Sequence, residues 1–126
     1  MKTYIGTKII QAEPRAKNYG PIEQQGQPGY TVVYPDGYTS WSPAEAFEGA
    51  YIDIGDVSGM PEHQQRVVGE KAQLDDKLAK LFAFTQTDKF QKFCDEAEQL
   101  RLIEQHHAME VYSHILGERI AAFTSV

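Results

Sequence analysis

Hydrophobic and polar residues follow two different patterns along the chain, and the change comes near residue 55. Before it, β-branched and aromatic residues stand in short stretches separated by Gly and Pro, a pattern typical of strands and turns. After it, apolar residues recur every three or four positions among Glu, Gln, Lys and Ala, which predicts helices. The sequence therefore predicts an α+β fold, with a small β-rich module over residues 1–54 and an α-helical hairpin over residues 61–126.

The first module is predicted to hold a small antiparallel sheet. Alternating β-branched residues predict a strand over residues 3–12, and residues 13–29 are predicted to form a loop. Residues 30–34 and 38–41 predict a β-hairpin, because Pro35-Asp36-Gly37 between them suits a tight turn.

A short helix is predicted to follow the hairpin, from Pro43 to about Tyr51. Ser42 is the expected N-cap, Pro43 suits the first helical position, and Glu45 completes a capping box. Three residues are expected on the side that faces the sheet: Ala46, Phe47 and Ala50.

The second half predicts two long helices joined by a short turn. The first runs from Glu62 to about Phe84, with apolar positions at Val67, Leu74, Leu78 and Leu81. Thr87 or Asp88 is expected to cap the turn that carries Phe90 and Phe93, and the second long helix spans about 95–123. Because the connection is short, the two helices are expected to lie antiparallel.

The last helix carries two apolar stripes. One runs through Leu102, His106, Met109, Ser113, Leu116, Ile120 and Phe123, and the other through Leu100, Ile103, His107, Val111 and Ile115. A single partner helix cannot cover both stripes, so the second stripe must meet either the β-rich module or another subunit. We favour another subunit, in a homo-oligomer.

The charge and composition of the chain argue against nucleic-acid and membrane partners. The net charge of −6 does not suit a protein that follows a nucleic-acid backbone, since such a protein needs a cationic surface. The chain has no apolar run near the ~20 residues that cross a membrane, and its start lacks the apolar core of a signal peptide. We therefore expect a cytoplasmic protein without nucleic-acid or membrane partners.

The sequence shows few residues arranged for catalysis or metal binding. His107, Glu110 and His114 share one helical face, but a di-iron site needs a matching Glu-x-x-His on a second helix, which is missing. Cys94 precedes two acidic residues, a setting that does not favour a reactive thiolate. Gly-x-Ser-x-Gly and phosphate-binding Gly-rich motifs are also missing. We expect neither an enzyme nor a bound metal or cofactor.

Aromatic and cationic residues gather instead around the predicted hairpin. Flat rings can stack on a base and nearby cations can neutralise phosphates, so this mixture suits a nucleotide pocket. The first turn of the helix at Ser42 is expected to add an anion site. The candidate ligand-binding residues are Arg15, Tyr19, Tyr38, Ser40 and Trp41, with Arg66 or Arg119 completing the pocket from the helical hairpin. The alternative is that these rings are simply the core of a small sheet.

Two segments resemble phage proteins. The run Tyr4-Ile5-Gly6-Thr7-Lys8 with Ala12-Glu13-Pro14, followed by Gly37-Tyr38-Thr39-Ser40-Trp41-Ser42-Pro43, resembles a small module of phage proteins over residues 1 to about 52. That module usually has Met where this chain has Arg15, and a longer loop behind it.

The second segment, residues 63–123, resembles a helical-hairpin family of phages that includes crAss-like phages. The residues that carry it are His63-Gln64-Gln65-Arg66-Val67, Glu70-Lys71, Leu74-Asp75, Lys77-Leu78, Met109, Tyr112 and Leu116-Gly117-Glu118-Arg119-Ile120. The first module also accompanies domains similar to the Thoeris anti-defence proteins. These proteins and related CBASS inhibitors are oligomeric sponges that bind nucleotide signals of bacterial immunity without cleaving them.

The resemblance implies a phage anti-defence protein of the host cytoplasm. Its expected partner is a nucleotide-derived immune signal, either an ADP-ribose derivative or a cyclic nucleotide. Two alternatives stay open at this point: an adaptor that captures a host protein through the helical hairpin, and a small hydrolase of the same signals that uses the His107 region.

Overall fold

The computed structural model describes residues 1–123, and the chain divides into two compact units, Met1–Ile52 and Asp53–Val126. The first unit is a three-stranded sheet with a short α-helix and a single turn of 3-10 helix, and the second is built mainly from α-helices. The predicted α+β class, with a small antiparallel sheet followed by a helical hairpin, is confirmed. The last three residues of the predicted helical segment, 124–126, lie outside the described residues.

The sheet of the first unit is antiparallel throughout. Its strands are β1 (Gln11–Pro14), β2 (Gly29–Val33) and β3 (Thr39–Pro43), in the order β1-β2-β3. The predicted hairpin between β2 and β3 is confirmed, with the Gly37 N–H donating to the Tyr34 carbonyl at 2.9 Å. Gly37 has φ +90, a left-handed conformation that a residue without Cβ adopts at little cost.

The predicted strand over residues 3–12 is wrong for most of its length. β1 begins only at Gln11, whose partner Val33 is the last residue of β2. Beyond that pair, the chain after β2 turns away at residues 34–38, so earlier residues lie past the end of the neighbouring strand. Strand propensity alone forms no ladder, and Tyr4 and Ile5 are largely exposed.

The segment between β1 and β2 is more regular than the predicted loop. Its backbone prolongs the ladder, because the Arg15 N–H donates to the Gly29 carbonyl at 2.8 Å and the Lys17 N–H donates to the Gln27 carbonyl at 2.9 Å. A short 3-10 helix, Ile22–Gln24, closes its far end.

Helix α1 (Ala44–Ala50) packs on the sheet through one aromatic side chain. The ring of Phe47 stacks on Tyr30 of β2, with centroids 4.1 Å apart, and Tyr51 stacks on Phe47 in turn. Phe47 faces the sheet as predicted, but Ala46 and Ala50 are exposed, because so short a helix presents little more than the turn around Phe47 to the strands.

The predicted cap of α1 is also wrong. Ser42 belongs to β3, and its hydroxyl donates to the Pro43 carbonyl at 3.3 Å. The N-cap position is Pro43, which makes no side-chain cap bond, so no capping box forms with Glu45. The strand continues two residues further than predicted because Tyr30 and Gly29 offer partners to Ser42 and Pro43.

The second unit is built from α2 (Glu62–Thr85), α3 (Asp88–Phe93) and α4 (Glu96–Phe123). Helices α2 and α4 form the predicted hairpin. The predicted first stripe of α4 is its inner side, with Leu116 only 1% exposed. Val67 of α2 and Phe90 of α3 are further buried apolar residues of this unit. Among residues 1–123, no helix is long and apolar enough to cross a membrane.

The helix starts in this unit differ from the predicted caps. The Thr87 hydroxyl donates backwards to the Phe84 carbonyl at 2.7 Å, and Thr87 as the N-cap of α3 makes no side-chain cap bond. At α4 the cap that forms is Asp95, whose carboxylate accepts the Glu98 N–H at 2.8 Å.

Candidate functional site

Three of the predicted ligand residues meet on the first unit. The indole N–H of Trp41, on β3, donates to the carbonyl oxygen of Arg15 at 2.7 Å. The ring of Tyr19 meets the indole edge to face, with centroids 6.1 Å apart and an interplanar angle of 82°. Trp41 therefore lies against the connection between β1 and β2, and it is the main chain of Arg15 that contacts it.

Gly29 provides the surface on which the indole rests. A Cβ built on Gly29 would lie well under 3.0 Å from both Cζ2 of Trp41 and the Ser42 carbonyl oxygen. Real Cβ atoms do not approach other atoms so closely, so only glycine leaves room for the ring here. The position of Trp41 depends on this close approach.

A cation lies over both rings of this cluster. Nζ of Lys17 is 5.0 Å from the centroid of Tyr19 and 5.7 Å from that of Trp41, within the range of a cation–π interaction. The same ammonium donates to Oε1 of Gln24 at 3.0 Å. We call Lys17, Tyr19 and Trp41 the ring–lysine cluster.

Tyr38 and Ser40 are placed apart from this cluster. Tyr38 stacks on Tyr34 beside the β2–β3 turn, with centroids 5.8 Å apart, and is largely exposed. Ser40 precedes Trp41 on the same strand, so the two side chains leave opposite faces of the sheet. The hydroxyl of Ser40 donates to the Trp41 carbonyl at 3.4 Å.

The anion site expected at the start of the short helix has one of its backbone donors already occupied. The first helical N–H, that of Ala44, donates to the Pro28 carbonyl at 3.0 Å. The helix has only seven residues, so it offers little dipole to an anion.

Arg66 and Arg119 belong to the second unit. The Arg66 guanidinium lies 3.4 Å from the Glu62 carboxylate one turn away. Arg119 lies on α4, on which the hydroxyl of Tyr112 donates to the Glu70 carboxylate of α2. This hydrogen bond raises the pKa of Tyr112, because it stabilises the neutral phenol, and the charge of Arg119 opposes the shift.

A second polar group joins the two long helices, and reasoning from the sequence missed it. Nζ of Lys71 donates to Oδ2 of Asp75 and to Oγ of Ser113, both at 2.8 Å, and the Ser113 hydroxyl donates to Oδ1 of Asp75 at 2.5 Å. We call these residues the helix-joining triad. The stem of Lys71 passes Gly117, where a Cβ would lie 3.5 Å from its Cε.

The triad lowers the pKa of Asp75. The hydrogen bond from Lys71 is the largest cause and that from Ser113 the next, since both donors favour the ionised carboxylate. Partial burial opposes the shift. The sequence signals for this group were the spacing of four between Lys71 and Asp75, which suits an ion pair on one helix, and a serine within a mostly apolar stripe.

Two histidines of α4, His106 and His114, each pair with a glutamate one turn further along the helix. Nδ1 of His106 lies 3.1 Å from the Glu110 carboxylate, and Nε2 of His114 lies 3.1 Å from that of Glu118. Of the set His107, Glu110 and His114, Glu110 thus pairs with His106 and His114 pairs with Glu118. Among residues 1–123, no three His, Cys, Asp or Glu side chains are grouped so that they could hold a metal ion.

The second apolar stripe of α4 is exposed. Leu100, Ile103, Val111 and Ile115 are between 47% and 57% accessible. Ile103 also lines an open depression with Phe82 and His106, whose rings lie 5.8 Å apart. We call Leu100, Ile103, Val111 and Ile115 the outer stripe.

Residues 61–122 match the Sequestin family model. The matched segment is just under half of the chain and covers α2, α3 and all but the last residue of α4. No curated protein and no solved structure matches the chain.

The Sequestin match covers only some of the candidate residues. Arg66, Arg119, the helix-joining triad and the outer stripe all lie within the matched segment. The ring–lysine cluster lies in the first unit, outside the segment similar to Sequestin.

Proposed function

We propose that this protein binds and sequesters a nucleotide-derived immune signal, an ADP-ribose derivative or a cyclic nucleotide, in the cytoplasm of a bacterial host. The observation that carries the proposal is the match of residues 61–122 to the Sequestin family, whose name denotes sequestration. The resemblance to phage anti-defence proteins supports the choice of an immune signal.

The ring–lysine cluster supports a nucleotide as the ligand. Aromatic faces stack on bases, and an ammonium group pairs with phosphate oxygens. Both kinds of group lie within 6.1 Å of one another on a single surface of the first unit. A net charge of −6 does not oppose such binding, because a small anion responds to the local charge.

Sequestration needs affinity and no turnover, so we propose that the ligand is held and released intact. A sponge must also be abundant relative to its ligand, and several sites per assembly would help. We propose that the outer stripe joins copies of the chain, since four half-exposed aliphatic side chains on one helix face favour burial against an apolar surface.

A thermal-shift screen tests the nucleotide proposal most quickly. The protein is heated with ADP-ribose, its cyclic isomers, cyclic dinucleotides and cyclic trinucleotides, with adenosine as the uncharged comparison. Binding to the folded state raises the melting temperature as the ligand concentration exceeds Kd. At least one phosphate-bearing compound is expected to raise it by several degrees, and a set of compounds without any shift would contradict the proposal.

A second candidate is a protein-binding adaptor, which the exposed outer stripe favours. An adaptor would give no thermal shift with nucleotides. An adaptor with Ile103→Glu in the stripe would no longer bind its host partner. In a nucleotide sponge, the same substitution would instead weaken the association between copies of the chain.

A further inference from the structure

We infer that Lys17 is the anion-contacting residue of the ring–lysine cluster, and that it recognises a phosphate or pyrophosphate group beside the rings of Tyr19 and Trp41. The inference rests on the proposed nucleotide function and assigns the role of cation to a residue different from the arginines considered above.

The main chain fixes the point from which the Lys17 side chain starts. Its N–H donates to the Gln27 carbonyl at 2.9 Å, and its carbonyl accepts the Gly26 N–H at 2.8 Å. These two bonds tie Lys17, on one arm of the β1–β2 connection, to the other arm. A side chain on so constrained a backbone loses less entropy when it binds a ligand than one on a free loop does.

The ammonium group is incompletely paired. It has three N–H donors, and Gln24 accepts one of them with a neutral amide oxygen. In the described part of the chain, Lys17 forms no ion pair with a carboxylate, whereas Lys71 and Lys80 do. An anion that approached Lys17 would therefore gain a charge-assisted hydrogen bond without displacing a protein carboxylate.

The two rings limit where that anion can lie. Tyr19 and Trp41 meet at 82°, so the ammonium group lies in the angle between them. The indole is held by Gly29 and by the Arg15 carbonyl, which leaves Tyr19 as the ring with more exposure. A phosphate on Lys17 would place an attached ribose or base beside the Tyr19 ring.

Trp41 offers a direct readout because it is the only tryptophan in the chain. Its fluorescence is followed while inorganic pyrophosphate, and then ADP-ribose, is added to the intact protein. Lys17→Met removes the charge and keeps the apolar stem, and Lys17→Arg keeps the charge. Lys8→Met is the matched control, because Nζ of Lys8 also lies over a ring, 5.3 Å from the centroid of Tyr34, outside the cluster.

The parent is expected to give a saturable signal with both compounds. Lys17→Met should raise the Kd for ADP-ribose about ten-fold or more at low salt, the scale of one lost charge-assisted bond. Lys17→Arg should restore most of the affinity, and Lys8→Met should bind within about two-fold of the parent. Circular dichroism is used to check that each variant is folded.

The possible failures are distinguishable. If the parent binds ADP-ribose and folded Lys17→Met binds it equally well, the role of Lys17 is wrong while the nucleotide function stands. If pyrophosphate gives a Lys17-dependent signal but no nucleotide of the thermal-shift screen binds, the anion site stands and the sequestration proposal fails. If neither compound changes the fluorescence of the parent, the role of Lys17 is wrong, and the thermal-shift screen with the cyclic nucleotides decides the sequestration proposal separately.

Discussion

The indole N–H of Trp41 donates to the carbonyl oxygen of Arg15 at 2.7 Å, across 26 positions of sequence. This bond ties β3 to the start of the β1–β2 connection, which also carries Lys17 and Tyr19. Trp41 thus supports the geometry of the candidate site as well as contributing a ring to it, so its two roles have to be measured separately.

Trp41→Phe is expected to lower the free energy of unfolding by about 1 kcal/mol, the net value of one hydrogen bond, while keeping an aromatic face. Trp41→Ala removes the ring and should cost several times more, about 3–5 kcal/mol if the cavity does not collapse. Urea unfolding followed by far-ultraviolet circular dichroism measures both. Equal stability of Trp41→Phe and the parent would show that the bond to Arg15 contributes nothing.

Gly29→Ala is expected to destabilise the first unit, because the new Cβ would collide with Cζ2 of Trp41 and with the Ser42 carbonyl. Overpacking of this kind costs about 1–3 kcal/mol. The clash is difficult to relieve by a side-chain movement, because the Ser42 carbonyl is a backbone group. Trp41 fluorescence during urea unfolding reports on the site directly.

Gly49→Ala is the control for this substitution. Gly49 lies in α1, and a Cβ added there would meet no atom within 4 Å, so alanine should raise stability by about 0.5–1 kcal/mol. If Gly29→Ala were tolerated as well as Gly49→Ala, the close contact between Gly29 and the indole would be wrong.

The stability of the helical unit is expected to depend on pH through the carboxylate of Asp75. Its pKa is lowered in the folded state, first by the hydrogen bond from Lys71, so the folded state binds this proton less readily than the unfolded chain does. The contribution is therefore fully present above the ordinary carboxyl pKa of 3.8 and is lost as the pH falls through the lower folded value.

Urea midpoints from about pH 7 to about pH 2.5 test this dependence. Asp75→Asn should be less stable than the parent at neutral pH, and the difference should shrink below about pH 4 as the parent's carboxylate is protonated. Asp76→Asn is the control, since Asp76 pairs with Lys80 on the same helix. A difference that stays constant over the whole range would contradict the role of the Asp75 charge.

The sequence predicted well where local pattern and packing agree. The β2–β3 hairpin follows from Pro35-Asp36-Gly37 between two apolar runs, and the inner side of α4 follows from the spacing of Leu102 to Phe123. Strand β3 follows its partner β2 directly in the chain, and helix α2 is long enough to pack along most of the inner side of α4.

The sequence predicted less well the segments whose secondary structure depends on a strand distant in the chain. Residues 3–10 have strand propensity, but β2 ends at Val33 and offers them no ladder. Ser42 has the preference of an N-cap, but its pairing with Tyr30 keeps it in β3. Of the candidate site, Trp41 and Tyr19 were found by residue type. The position of Lys17 over both rings instead depends on the backbone bonds that continue the ladder beyond β1, which have no signature in sequence.

The outer stripe predicts that the chain is an oligomer in solution. The double substitution Ile103→Glu with Val111→Glu places two charges on this face and should release monomers, since burying an unpaired carboxylate is costly. Light scattering at micromolar concentration measures the mass. Ala79→Glu, at an exposed position of α2, should leave the assembly unchanged. A parent that is already monomeric would contradict the prediction.

Sequestration itself is tested most directly by recovering the ligand. The protein is mixed with a stoichiometric amount of an ADP-ribose-type or cyclic nucleotide signal that stabilises it, separated from free ligand by filtration, and then heat-denatured. We predict that mass spectrometry finds the nucleotide depleted from the filtrate and released by heating with its mass and retention time unchanged. A nucleotide that stays in the filtrate, or one that is recovered as a cleavage product, would contradict the account.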